Sequence, residues 1–438
     1  MKKFWFSIQF LRIGIGVLLL FDWIQRGFDY EIFYSDNGLF SNEFIQNSGY
    51  LGMGRWSLFF LHESPIYSVV LFSIGIISSI LIITGFFTRW ATLISYILVL
   101  SIQNRNPFVL HAGDSLLILT LLLLFFARSR NTFSAFLKDY TQSKSGNVSS
   151  LFSGMGFVFI LCSIHFISGL NKNTEEWLME KSAVFYALAN EDYSRAWIRN
   201  LLDYSPWVKG LSVLTYFTEW LAPLFLLLGF WKNFFKNLGL VLLALLQLGL
   251  FFSFEISWFN LLLLIITVGV YFLPFKFLRK EFKSKALNSF LSLRMFFNLE
   301  KLTVLFFTFL IVANSFFSIS SFPFKASRVV YVMSDFFQLN FQWNMFSPKA
   351  RKESVMIEFE SEKTNLKEDQ WLSRINSKNH RAVKLRENLH RLNDLQLNQQ
   401  IKNICHREFR KDAVVKMRIK KPVSPLSKSY SIQEITFQ

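Results

Sequence analysis

The chain is poor in the residues that usually announce a catalytic or metal centre. It has only two cysteines in 438 residues. Cys162 lies inside an apolar run and Cys405 in a polar C-terminal stretch, so their depths argue against a disulfide between them. The chain therefore needs no oxidising compartment, and nothing in it argues against one. Its six histidines are too scattered to suggest a metal site, so no metal is expected. It has no glycine-rich phosphate loop, no H-E-x-x-H, no C-x-x-C and no G-x-S-x-G, which sets aside the nucleotide, zinc-peptidase, dithiol and serine-hydrolase chemistries those motifs serve. There is no internal repeat, and no pair of interrupted segments in matching halves of the kind that marks many carriers. The opening Met1-Lys2-Lys3 precedes an apolar run that has no small-residue cleavage site and is interrupted by Arg12. It reads as a retained first helix rather than a signal peptide.

Apolar residues are abundant, at 52% of the chain with 53 phenylalanines. They fall in separated runs near the roughly 20 residues that cross a bilayer. The candidate spans are Phe4–Trp23, Pro65–Phe87, Thr88–Ile102, Phe108–Ala127, Leu151–Leu170, Trp207–Phe230, Leu238–Phe254, Trp258–Phe275 and Leu302–Phe322. The third and fourth are short and frame a polar stretch. The expected fold is thus an all-α polytopic membrane protein of about nine transmembrane helices. Residues 1–322 form the membrane body and 323–438 a small α+β extramembrane C-terminal segment.

A net charge of +17 raises nucleic acid as a partner, but the distribution of charge speaks for a bilayer instead. Lys2, Lys3, Arg89, Arg128, Arg130, Lys138, Lys232, Lys236, Lys276, Arg279, Lys280 and Lys283 flank span ends on one face. Glu31, Asp36, Glu43, Glu175, Glu176, Glu191 and Asp192 lie in loops on the other. The positive-inside rule then puts the N-terminus in the cytoplasm and the C-terminal segment outside, as in a bacterial inner-membrane protein. The basic tail is no obstacle, since long domains cross largely regardless of charge. Lys285–Leu302 is amphipathic and fits the cytoplasmic interface. In the tail, Val355, Ile357 and Phe359 alternate with polar neighbours as a strand does. Leu385, Leu389, Leu392 and Leu395 recur at helical spacing, and Val415, Met417 and Ile419 alternate again.

A charge near the centre of a span costs at least about 2.5 kcal/mol, so intramembrane polar residues are candidate sites. Arg12, Asp22, His165, Glu219 and Glu255 qualify, and Arg105, His111, Asp114 and Lys172 sit at span edges. Arg12 and Asp22 read first as structural partners of other helices. Glu219, close before Pro223, is placed to satisfy backbone groups freed by that proline. Lys172 ends the Leu151–Leu170 run. There it is either a snorkelling anchor or an amine whose charged form is disfavoured, which makes it a usable base. His165 lies seven residues before it, two turns away on the same helical face, and reads as an interhelical hydrogen-bonder or a pocket-lining group.

Several stretches together resemble a known family. Phe10-Leu11-Arg12-Ile13-Gly14 and Phe33-Tyr34-Ser35-Asp36-Asn37-Gly38-Leu39 resemble the start of the horizontally transferred transmembrane (HTTM) domain. Arg105-Asn106-Pro107 with Leu110, Gly113 and Asp114 resembles a later part of it. Gly169, Lys172, Glu176 and Trp177 match the family's helix end, Thr218-Glu219-Trp220 with Pro223 its Glu–Pro span, and Gln342–Pro348 its post-membrane Trp-x-Met segment. The resemblance runs from about Leu11 to Phe359. The family includes the vitamin K-dependent γ-glutamyl carboxylase, a carbon–carbon lyase. The resemblance implies a reduced quinone of the vitamin K or menaquinol type, with carbon dioxide and oxygen as co-substrates. It also implies an exported peptide as substrate on the outer face and Lys172 as the initiating catalytic base. His165, Asn106, His111, Asp114, Glu219, Gln247 and Glu255 are the expected lining. The chain differs from the carboxylases at Pro107 and near Gln247, where they carry histidines. A second expectation belongs to another class: a non-catalytic membrane helper in the maturation, export or immunity of a secreted peptide. Trp343 and Met345 of the post-membrane segment are expected to pack rather than to form a lid.

Overall fold

The computed structural model describes residues 2–47, 54–127, 148–200, 202, 205–255, 258–281, 299–317, 327–339, 354–360, 375, 379–392, 414–424 and 427–437. Where described, each apolar run read from the sequence is largely helical: α1 (Lys2–Phe28), α2 (Pro65–Thr84), α3 (Thr88–Arg105), α4 (Ala112–Phe126), α5 (Val148–Asn171), α6 (Pro206–Leu228), α7 (Asn233–Ser253), α8 (Phe259–Phe272) and α9 (Leu299–Phe317). Among the described residues five of these, α1, α2, α5, α6 and α7, are long and apolar enough to cross a membrane. The helices α4, α8 and α9 are shorter and apolar, and α3 carries Arg89 and Arg105 at its ends. The chain is an integral membrane protein by this measure. The amphipathic Lys285–Leu302 stretch falls almost wholly outside the described residues, as does the segment holding Trp343 and Met345.

The first helix organises the body. It packs against α2, α4 and α8, and α5 packs against α6, which in turn packs on α7. Small residues at these contacts allow close approach, as is usual between helices that lack a hydrophobic drive to associate in lipid. A Cβ added at Gly75 of α2 would lie 2.5 Å from the Trp23 ring of α1, so only glycine fits there. Arg12, fully buried in α1, donates to the carbonyls of Ile82 and Ile83, where the last turn of α2 leaves acceptors unsatisfied.

Beyond α9 lie a further helix, α10 (Arg328–Phe336), strand β1 (Ser354–Glu360), helix α11 (His380–Leu392) and strands β2 (Val414–Ser424) and β3 (Ser427–Phe437). The strands form one antiparallel sheet in the order β1-β2-β3. Its register places Val355 opposite Ile419, Ile357 opposite Met417, and Met417 opposite Ile435. Helix α11 packs against β1 and against the short 3-10 turn Pro107–Val109 that links α3 to α4.

Candidate functional site

The structure gathers some of the residues that the sequence singles out into two groups and places Gln247 and Glu255 by contacts of their own. The first lies between α5 and α6. Lys172 is the first residue beyond α5, and its Nζ stands 2.6 Å from Glu219 Oε2 of α6 and 3.0 Å from Ser168 Oγ one turn back. The indole of Trp177 covers it, 4.6 Å from nitrogen to ring centre. The three directions of the ammonium thus meet a carboxylate, a hydroxyl and an aromatic face. Both side chains are sealed from solvent, at 1% and 2% exposed. Burial lowers the pKa of Lys172, and the Glu219 charge opposes that shift. Glu219 is therefore the lysine's partner and more than a filler for backbone groups near Pro223. Close helix approach makes the pair possible: a Cβ added at Gly169 would stand 3.1 Å from Cδ1 and Nε1 of Trp220.

Polar atoms around this pair are left without partners. Neither ring nitrogen of the fully buried His165 has a hydrogen-bond partner among the described residues, and the same holds for the buried Nε1 atoms of Trp177 and Trp220. The reading of His165 as a satisfied interhelical hydrogen-bonder does not match its surroundings. Each such atom costs about 1–3 kcal/mol when nothing meets it. One turn before His165, the Cys162 thiol approaches the Pro223 carbonyl at 3.9 Å. Gln247 of α7 accepts from Thr267 at 3.1 Å through its Oε1, while its Nε2 is another buried donor without a partner. Glu255, just past α7, is held by its backbone, which donates to the Tyr193 carbonyl.

The second group gathers where α1, α4 and α11 meet. Asn106 caps the Pro107–Val109 turn by accepting from the Phe108 backbone and donates to the Phe33 carbonyl at 2.8 Å, while Arg105 donates to the carbonyls of Ser35 and Phe40. The two loop stretches that carried the resemblance are thus fastened to each other. His111 and Asp114 form a reciprocal cap at the start of α4. Arg26 then bridges Asp114 at 2.5 Å, Asp22 at 2.7 Å and the Tyr34 hydroxyl at 2.9 Å. A small cavity lies against Asp22, His111, Asp114, Leu18, Trp258 and Leu262.

Sequence reasoning missed the contribution of α11. Arg381 reaches 359 residues back to Asp22 and also binds Asp29, both at 2.7 Å, and the His380 ring meets that of His111 at 4.5 Å. Arg386 pairs with Asp192 at 2.7 Å, and Glu387 accepts from the Tyr193 hydroxyl. Nothing in the local pattern of this Lys/Arg/Asn-rich stretch marks Arg381 over its neighbours; a cluster of carboxylates on the membrane body was the only available signal. Burial pushes the His380 pKa well below the usual range, and the positive charges of Arg381 and Arg26 push the same way, as does His111. No group of three or more metal-binding side chains occurs among the described residues.

Comparison of the chain with known family models, with curated proteins and with solved structures finds no match in any of the three.

Proposed function

We propose that this chain is an HTTM-type membrane enzyme in which Lys172 acts as a base on a reduced quinone held between helices, and that the chemistry ends in γ-carboxylation of a glutamate in an exported peptide. The observation that carries the proposal is the sealed Lys172–Glu219 contact. A buried amine and carboxylate 2.6 Å apart can pass one proton between them with no change in net charge. With the shared proton on Glu219, Lys172 presents a lone pair; once the amine has taken a substrate proton the pair holds two, and release of one of them from Glu219 restores the starting ion pair. Ser168 holds the amine in line, and Trp177 excludes water from it. The residues present fit a neutral group bearing oxygen in their chemistry: the unpartnered nitrogens of His165, Trp177 and Trp220 would offer it donors and an acceptor. A reduced quinone, when bound, would supply an acidic hydroxyl for Lys172 and, with oxygen as its oxidant, the driving force for removing a carbon-bound proton. Asn106, His111 and Asp114 hold the neighbouring outer loops on this reading, and the peptide is handled on the outer face.

The test is incorporation of labelled carbon dioxide into a glutamate-rich peptide by the purified protein with menaquinol and oxygen, beside Lys172→Ala and Lys172→Arg. Incorporation that both substitutions abolish, at unchanged expression, supports the proposal. Oxygen consumption that depends on quinol and Lys172 without incorporation keeps the base and discards the carboxylation. A second reading draws on the same pair taken as an anchor, because an ion pair that closes on itself needs no substrate. On that reading the chain is a non-catalytic helper in the maturation, export or immunity of a secreted peptide, and Lys172→Arg is tolerated.

A further inference from the structure

Helix α10 is built inside out for a segment in water. Its polar residues face the protein: Ser334 and Asp335 are fully buried, Ser334 accepts from Asn314 at 2.7 Å, and Asp335 lies 3.5 Å from Arg55. Four of its apolar residues face away, with Val329 68%, Tyr331 44%, Met333 41% and Phe336 42% exposed, while Val330 and Val332 are partly covered by the protein. A surface helix in water has the opposite arrangement.

Its depth says what covers that face. The Tyr96 hydroxyl donates to the Phe337 carbonyl at 2.7 Å, and Tyr96 lies nine residues inside the end of α3, about 13 Å along the axis at ~1.5 Å per residue. The Phe337 ring also packs on Phe307 of α9 at 5.0 Å, ten residues before that helix's last described residue, Phe317, or about 15 Å. Ser334, by contrast, meets Asn314 near the end of α9. The helix therefore runs inward from Arg328, exposed at its shallow end, to Phe337, which lies between the level of Tyr96 and that of Asn104, one residue from the end of α3, where Gln338 donates. Its exposed face continues the exposed surface of α9, where Phe306, Phe309 and Phe316 point outward.

We infer that α10 is seated in one leaflet of the bilayer, with Val329, Tyr331, Met333 and Phe336 in contact with lipid acyl chains. The backbone at its inner end is tolerated there because it is met by protein: Tyr96 bonds the Phe337 carbonyl, Gln338 donates to Asn104, and the Leu339 amide donates to the Ser334 carbonyl at 2.7 Å. The polar face of Asn314, Ser334, Asp335 and Arg55 is then a buried seam between α10 and the body. The membrane-embedded part of the chain thus extends past residue 322. This inference is independent of any base chemistry at Lys172.

The test uses the full chain with Cys162→Ser and Cys405→Ser, carrying one new cysteine at a time: Val329→Cys, Met333→Cys or, as a lipid-facing control on α9, Phe309→Cys. Each is labelled with an environment-sensitive fluorophore and reconstituted into phosphatidylcholine nanodiscs with bromines on the acyl chains. The expected result is that the labels at 329 and 333 lose intensity to the same extent as the control, with the label at 333 quenched by deeper bromines than that at 329. Aqueous iodide should leave both untouched. Quenching by iodide and not by brominated lipid would overturn the inference, and so would a label that neither quencher reaches, which would mean a protein surface covers the helix. Both substituted positions are exposed, so an unchanged size-exclusion profile checks that the fold is intact.

Discussion

Replacing Glu219 by Gln removes one charge from a contact that is 98–99% withdrawn from solvent and leaves Lys172 facing an amide. At 2.6 Å the pair's mutual attraction is about 6 kcal/mol for an effective dielectric of about 20. Much of that offsets the cost of dehydrating both ions, so the net value of the pair is far smaller than its attraction. The loss of one partner is a different quantity, because the survivor keeps its dehydration cost and loses its compensation. For buried pairs this amounts to about 3–5 kcal/mol. Glu219→Gln is therefore expected to destabilise the folded protein by about that much, less whatever Lys172 recovers by shedding its proton. Lys172→Met is expected to cost less than Glu219→Gln, because a buried carboxyl escapes its charge by taking up a proton. The double variant Lys172→Met/Glu219→Leu should return to within about 1 kcal/mol of the parent, since apolar replacement of a whole buried pair is often neutral. The assay is equilibrium unfolding in mixed micelles of rising SDS fraction for the four members of the cycle, with the coupling energy taken from their differences. Single variants that each cost less than about 1 kcal/mol, or a double variant whose loss is the sum of the singles, would refute the reasoning. Either result would mean that the pair is hydrated and worth no more than a surface contact.

Further expectations follow from other residues. His165→Leu removes two unpartnered ring nitrogens from a fully buried site, so it should leave stability unchanged or raise it by about 1 kcal/mol while lowering any Lys172-dependent turnover; the same SDS titration run beside the activity assay checks both. Gly75→Ala drives a methyl to 2.5 Å from the Trp23 ring, and the resulting separation of α1 and α2 should cost about 1–3 kcal/mol, read as a lower unfolding midpoint. Arg381→Ala strips Asp22 and Asp29 of a shared partner and should free α11, seen as faster trypsin cleavage at Lys384 with the membrane helices still protected from exchange. The folded-state pKa of His380 is depressed, so its contribution to stability is present above about 6.5, the unfolded value, and is lost as pH falls below it. Thermal stability should therefore decline between pH 7 and pH 5, and His380→Phe should flatten that decline.

Runs of apolar residues are a local signal, and each of those read from the sequence is largely helical where it is described, because a helix satisfies the backbone of a bilayer-length stretch within the segment itself. Crossing is a stricter demand than helix formation. Thr88–Arg105 and the three shorter apolar helices show that the hydropathy of a run does not settle whether its helix is long and apolar enough to span. The alternation at Val355–Phe359 and Val415–Ile419 was legible for the same local reason, and the register then follows from placing both apolar sets on one face. At the candidate site, Lys172 and Glu219 each stood out as a charge in the wrong solvent. Their pairing did not, because 47 residues separate them and no periodicity links α5 to α6. Arg381 was less legible still: it lies in a stretch where positive charge is ordinary, and its meaning comes from carboxylates 352 and 359 residues away.

The contact of Arg12 with the end of α2 bears on how the protein reaches its membrane. Arg12 emerges from the ribosome long before Ile82 and Ile83, some 70 residues later, whose carbonyls receive it. During that interval the first helix alone carries a side chain that costs about 2.5–3.5 kcal/mol to bury at mid-span. The unit that enters lipid without penalty is therefore the α1–α2 hairpin. A nascent chain truncated before residue 84 should remain extractable at high pH, whereas one extended past it should integrate.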